Sequence, residues 1–91
     1  MADDVAARLE HLARLREELF SEMEAAESEM ARVRVRVERL ESDQRLCGPV
    51  TAEYQQLKGH TLPQLEARVV AAFNGVLKLE RKILDSRREA G

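Results

Sequence analysis

Tryptophan is absent from this 91-residue chain, and tyrosine and cysteine occur once each, phenylalanine and proline twice, and glycine four times. Each shortage excludes something. So little Gly and Pro leaves no room for a loop-rich β fold or a collagen-like repeat. Cys47 stands alone, so no disulfide scaffold exists, and a reducing compartment is the expected setting. No window approaches ~18 apolar residues, so no membrane span is expected. The start, Met1-Ala2-Asp3-Asp4-Val5, is acidic and lacks the apolar stretch of a secretory leader. A cytoplasmic protein is expected.

A surplus of one charge is also missing. Fifteen basic and 17 acidic residues give a net charge of −2. A dedicated nucleic-acid binder would carry a basic surplus. Residues 1–47 hold 12 acids and 8 bases, and residues 48–91 hold 5 and 7. The modest asymmetry suits a chain folding back on itself.

What is present is an Ala, Glu, Leu and Arg bias typical of long helices or coiled coils. Cys47-Gly48-Pro49 is the one strong breaker: Gly48 offers a positive-φ helix end, and Pro49 cannot continue the helix. Before it, apolar residues alternate in steps of three and four. The seam is Val5, Leu9, Leu12, Arg16, Leu19, Met23, Ala26, Met30, Val33, Val37, Leu40 and Gln44. Only Arg16 and Gln44 are polar, and a 3.5-residue repeat of this length predicts one helix over about 3–45, capped at Asp3 or Asp4. About 42 such residues make a rod of roughly 63 Å, which needs a partner.

The partner lies in the same chain. Leu62, Leu65, Val69, Ala72, Val76, Leu79 and Ile83 keep the same alternation straight through Asn74-Gly75. Gly75 is therefore read as a weak spot inside a helix, costing ~1 kcal/mol against Ala. A second ridge, Val70, Phe73, Leu77 and Leu84, makes the apolar stripe wider than one contact requires, so this helix should touch two neighbours. Val50, Tyr54 and Leu57 show helical spacing behind a Thr51 cap but stand one residue out of phase with Leu62 and Leu65. A kink at Pro63 explains the slip. The expected fold is a single all-α domain, an antiparallel bundle of helix 1 (about 3–45), helix 2 (about 50–61) and helix 3 (about 63–88). Helices 2 and 3 are either separate or one helix kinked at Pro63.

Catalytic signatures are scarce. His11 falls at an exposed heptad position and His60 is expected in a loop just before Pro63; neither belongs to a metal-binding spacing, and no phosphate loop or nucleophile elbow occurs. No enzyme activity, cofactor or metal is expected. Cys47 at the negative end of helix 1 would have its thiol pKa raised, which favours a small semi-buried turn residue over a reactive thiol. Glu17, Glu18, Glu22, Glu24, Glu27 and Glu29 form a run with no base inside it. It is either a docking surface or a solvated face neutralised by Arg68 and Lys78. Arg32, Arg34, Arg36 and Arg39 spread round the helix and read as solvated surface, not a phosphate stripe. Neither nucleic acid nor a membrane is an expected partner.

One stretch goes further. Leu62-Pro63-Gln64-Leu65-Glu66-Ala67-Arg68-Val69-Val70-Ala71-Ala72-Phe73 carries an apolar-Pro pair, an Arg five residues after that Pro, then an Ala-Ala-aromatic triplet. With Arg14-Leu15, Glu18, Glu22, Glu24-Ala25 and Tyr54-Gln55-Gln56-Leu57, the chain from Leu12 to Glu80 resembles the tubulin-binding cofactor A family. The resemblance implies a helical, cytoskeleton-associated chaperone that captures β-tubulin intermediates before α/β-heterodimer assembly, without nucleotide or metal. It also suggests other tubulin-folding cofactors as partners and leaves monomer and homodimer both open. The family extends further beyond the triplet into a short additional helix. Here that element is expected to be shortened or merged, which makes a kinked two-helix hairpin the alternative to three helices. With the seam consumed internally, exposed Glu18, Glu22 and Glu29 are the expected partner-binding residues. The competing expectation is a structural coiled-coil subunit of a larger assembly.

Overall fold

The computed structural model describes residues 2–90, and their side chains except those of Ala2, Asp3, Leu46 and Cys47. The semi-buried position expected of Cys47 therefore lies outside the described side chains. Every described segment except the turn is helical. Helix α1 is Ala2–Cys47, and its 46 residues at ~1.5 Å each match the 69 Å long axis of the molecule. It starts one residue earlier than expected, so Asp3 and Asp4 sit within its first turn and the cap position falls on Met1, outside the described residues. An acidic residue in the first turn, such as Asp4, suits the positive helix end.

The turn differs from expectation in one detail. No described glycine has positive φ. The Gly48 N–H still reaches the Gln44 carbonyl at 3.4 Å, so helical bonding carries to the last residue before Pro49. A following proline drives its predecessor toward extended backbone, and Gly48 ends the helix without a left-handed step. Thr51 caps the next helix as expected: its Oγ1 accepts the Tyr54 N–H at 3.2 Å.

Helices 2 and 3 are one helix, here α2, running over residues 52–90. It is α-helical over Ala52–Gln56, passes through a π-helical turn at Leu57–Thr61, and resumes as α-helix over Leu62–Ala90. The three-helix count is thus corrected to two, and the break at Pro63 is replaced by a wide turn ahead of it. The Leu62 N–H bonds to the Leu57 carbonyl, five residues back. Pro63 has no N–H to give, and its ring would press on the Gly59 carbonyl in a regular helix. The wide turn absorbs both problems and adds the one residue that the apolar phase requires. Half-buried Leu57 and Leu62 are a step of five apart, where a regular seam steps four. His60 accordingly sits on a helical turn, exposed, not in a loop.

The two helices lie antiparallel. The 15 × 14 Å cross-section is what two helices ~8–10 Å apart produce, and it leaves no width for a sharp kink. All twelve α1 seam positions and all seven of α2 are buried or half-buried. Leu12, Leu79 and Ile83 form a buried cluster, with Leu9, Leu15 and Leu19 packed on it. The seam extends one step past Ile83 to buried Ser86. Gly75 stays inside the helix, as read from the sequence, and serves as a socket: a methyl group there would stand 2.9 Å from Leu19 Cδ1.

The second ridge does not find its neighbour. Val70, Phe73, Leu77 and Leu84 are 49–57% exposed. Among the described residues only α1 packs along the seam of α2, so the expectation that this helix touches two neighbours is not met within the chain.

Candidate functional site

The seam divides the rod into two long flanks. On α1, Arg8, Leu15, Glu22, Glu29, Arg36 and Asp43 each stand one residue before a seam position. On α2 the same column is Arg68, Gly75, Lys82 and Glu89. Ion pairs show that these columns face each other: Arg8 Nη1 to Glu89 Oε2 at 3.0 Å and Arg68 Nη1 to Glu29 Oε2 at 3.9 Å. Arg36, in the same α1 column, holds Glu53 with two bonds, Nε to Oε1 at 2.7 Å and Nη2 to Oε2 at 3.0 Å. That fork-to-fork geometry is the strong form of the contact. The hydrogen bond from Arg36, ahead of its charge, holds the Glu53 carboxyl below its ordinary pKa, and the same bond raises that of Arg36.

The other flank is built from the residues one step after every second seam position. Ala6, Ala13, Phe20, Glu27, Arg34 and Glu41 lie on α1, with Glu66, Phe73, Glu80 and Arg87 on α2. A looser pair, Arg34 Nη2 to Glu66 Oε1 at 3.8 Å, links them. Phe20 is 38% exposed here, beside the uncovered ridge of α2. Sequence reading passed over Phe20. Its signal was available, since it follows seam residue Leu19 directly and so belongs to the column of Phe73.

The predicted partner-binding residues separate in part. Glu22 lines a notch between the helices with Leu19, Arg68, Ala71 and Ala72. Glu29 is two turns further along α1 and pairs with Arg68. Glu18 lies further out and shares a shallow depression with Glu22, Arg14, Glu17 and Ser21. The neutralisation expected from Lys78 does not occur. Among the described residues, Glu29 is the one member of the six-glutamate run with a basic group within salt-bridge distance.

Near the turn, Lys58 Nζ donates to Tyr54 Oη at 2.9 Å and stands 5.3 Å from the ring centroid. That bond, and then Glu41, raise the Lys58 pKa. Gln44 Nε2 is buried without a hydrogen-bond partner, close to Gly48, Pro49 and Thr51. Among the described residues no three His, Cys, Asp or Glu side chains converge as a metal site would require. No described helix is long and apolar enough to cross a membrane. The arrangement can offer exposed glutamates along α1, with Glu18, Glu22 and Glu29 on one flank, and an apolar strip on the opposite flank. Comparison with protein-family models, characterised proteins and solved structures gives no match.

Proposed function

We propose that this protein is a holding chaperone for tubulin, a cytoplasmic cofactor that captures β-tubulin intermediates and keeps them from aggregating until the α/β heterodimer assembles. The reading rests on the resemblance carried by Pro63, Arg68 and Ala71-Ala72-Phe73, and other tubulin-folding cofactors are its further partners. One surface observation supports it most. Five of the six glutamates from Glu17 to Glu29 have no basic partner among the described residues, while the apolar seam beneath them is consumed by packing. A client meets acidic charge spread along a rod, uncompensated at Glu18 and Glu22 and shared with Arg68 at Glu29. Such contact is broad, weak at each point and reversible, as holding followed by release requires.

The test is capture of β-tubulin by the triple variant Glu18→Lys, Glu22→Lys, Glu29→Lys at low and high salt. Reversal and salt should each weaken capture with helicity intact, and single reversals should do little. Capture indifferent to both sinks the acidic face as the binding site; no capture by the wild type sinks the tubulin reading. The second reading, a structural subunit of a larger helical assembly, is favoured by the uncovered ridge of α2. It predicts that the isolated chain aggregates or unfolds and that tubulin is not retained.

A further inference from the structure

The uncovered strip has a pattern of its own. Val70, Phe73, Leu77 and Leu84 fall at steps of three, four and seven along α2. That is a second heptad seam, turned away from the first, with Glu80 at the one polar position. Leu77 is its midpoint, seven residues from Val70 and seven from Leu84. Leu19 packs on Gly75, so Phe20 comes level with that midpoint and widens the strip from the α1 side. Five side chains, each 38–57% exposed, offer roughly 400 Å² of apolar surface, within the range at which a patch marks an interaction site.

We infer that this strip is the interface between two copies of the chain, joined antiparallel about a two-fold axis at Leu77. Charge selects both the occupant and the direction. An axis through Leu77 sets Leu77 on Leu77 and Val70 on Leu84 of the second copy, at both ends of the strip. It sets Glu66 against Arg88, Phe73 against Arg81, and Asn74 against Glu80. Glu66 thus meets a base and Glu80 an amide, Arg88 meets a carboxylate and Arg81 an aromatic face, where a guanidinium is favoured, while Arg87 falls against the small Ala67. Side-by-side pairing in the same direction would place Glu66, Glu80, Arg81 and Arg88 each against its own kind. The strip is thus complementary to itself in one orientation, the property an isologous interface requires. A stable interface covers about 800 Å² on each partner. The apolar strip supplies about half of that and the charged rim must supply the rest, so the dimer dissociates on dilution. The acidic depression at Glu18 and Glu22 is on the opposite flank and stays open in the dimer, so this inference does not depend on the tubulin reading.

Sedimentation equilibrium of the full chain over a hundredfold concentration range tests it. The mass should rise from 10.4 kDa toward twice that value. Leu77→Glu should hold the chain monomeric throughout with its helicity unchanged. Glu66→Arg alone and Arg88→Glu alone should each weaken association several-fold, and the double exchange should restore it. A wild-type chain that is monomeric at every concentration overturns the inference and gives the strip to a different protein. A dimer that survives Leu77→Glu puts the interface elsewhere, and a double exchange that fails to restore association overturns the antiparallel arrangement.

Discussion

The two flanks of this rod solve the same problem in different ways. Both border a seam one side chain thick, and both must shield it from water. On the flank of Glu22, Glu29 and Arg36, charged side chains cross between the helices, Arg8 to Glu89 and Glu29 to Arg68, and Gly75 lets Leu19 close against backbone. On the flank of Phe20 and Phe73 one looser pair, Arg34 to Glu66, crosses, and beside it the cover is an apolar strip, about half exposed. The first arrangement is complete within one chain; the second lacks a neighbour. Charged rims are satisfied by water when nothing docks, whereas exposed Phe and Leu are not. The apolar flank therefore carries the thermodynamic reason to associate, and the charged flank sets what may approach the other side.

The sharpest contrast lies between adjacent residues. Val76 is 3% exposed in the seam and Leu77 is 49% exposed on the strip. Val76→Asp buries an unpaired carboxylate and should cost more than ~3 kcal/mol, enough to unfold so thin a core. Val69→Asp, half-buried, should follow with a smaller loss. Leu77→Asp, measured at concentrations where the chain is monomeric, should change stability by no more than ~0.5 kcal/mol. Equal thermal melts for Val76→Asp and Leu77→Asp would erase the distinction between seam and strip.

The closed flank can be broken at its tightest point. Gly75→Val places a branched side chain where a single methyl group already comes within 2.9 Å of Leu19 Cδ1. Overpacking of this kind costs ~1–3 kcal/mol, partly offset by the better helix propensity of valine. Leu19→Ala should relieve it, so the double variant should be more stable than the sum of the two single losses predicts. Strict additivity in that cycle would mean that Leu19 does not occupy the Gly75 socket.

Much of this was legible beforehand, for a physical reason. Val5 through Gln44 and Leu62 through Ile83 carry the seam in their spacing alone, because only one rotation of each helix buries them. Thr51 was legible because a cap is local chemistry. Leu57–Thr61 was not. A step of five between apolar residues fits a break, a kink or a wide turn equally well, and only a backbone that keeps bonding through the Leu62 N–H tells them apart. Gly48 misled because its type permits positive φ while its neighbour Pro49 disfavours it. At the surface, the Arg36–Glu53 clamp joins residues 17 apart across the turn and has no local signature. Glu18, Glu22 and Glu29 were found as a run of charge, but which of them lacked a base depended on how α1 and α2 are set against each other.

Pro63→Ala tests the wide turn itself. The helix already runs through this position, so restoring one N–H donor should leave helix content by circular dichroism equal or slightly higher. Stability should change by less than ~2 kcal/mol, because the gain of a donor is opposed by the loss of proline's restraint on the unfolded chain. A large loss of helix would mean that the proline holds a break the seam depends on.

The smallest effect separates the charged flank from the apolar one by pH. Arg36 holds Glu53 through two short hydrogen bonds and keeps its carboxyl below the ordinary value of 4.5. A carboxyl whose pKa is lower folded than unfolded stabilises the fold above its unfolded value, and that contribution is lost as pH falls through the folded one. It is therefore fully present at neutral pH, does not change toward alkaline pH, and fades only in acid below about 4.5. Both side chains are about half exposed, so salt should weaken the contact too. The effect should be local, since the pair ties the first turn of α2 to α1 and touches nothing in the Leu12, Leu79, Ile83 cluster. Amide exchange in residues 52–61 should quicken as pH is lowered from 5 to 2, after correction for intrinsic rates, while that of residues 76–84 changes less. In Glu53→Gln the region 52–61 should exchange faster at neutral pH and lose most of its acid dependence. An unaltered acid response in Glu53→Gln would show that the start of α2 is held by Thr51 and the seam alone, leaving the charged flank to solvent exposure and not to pairing.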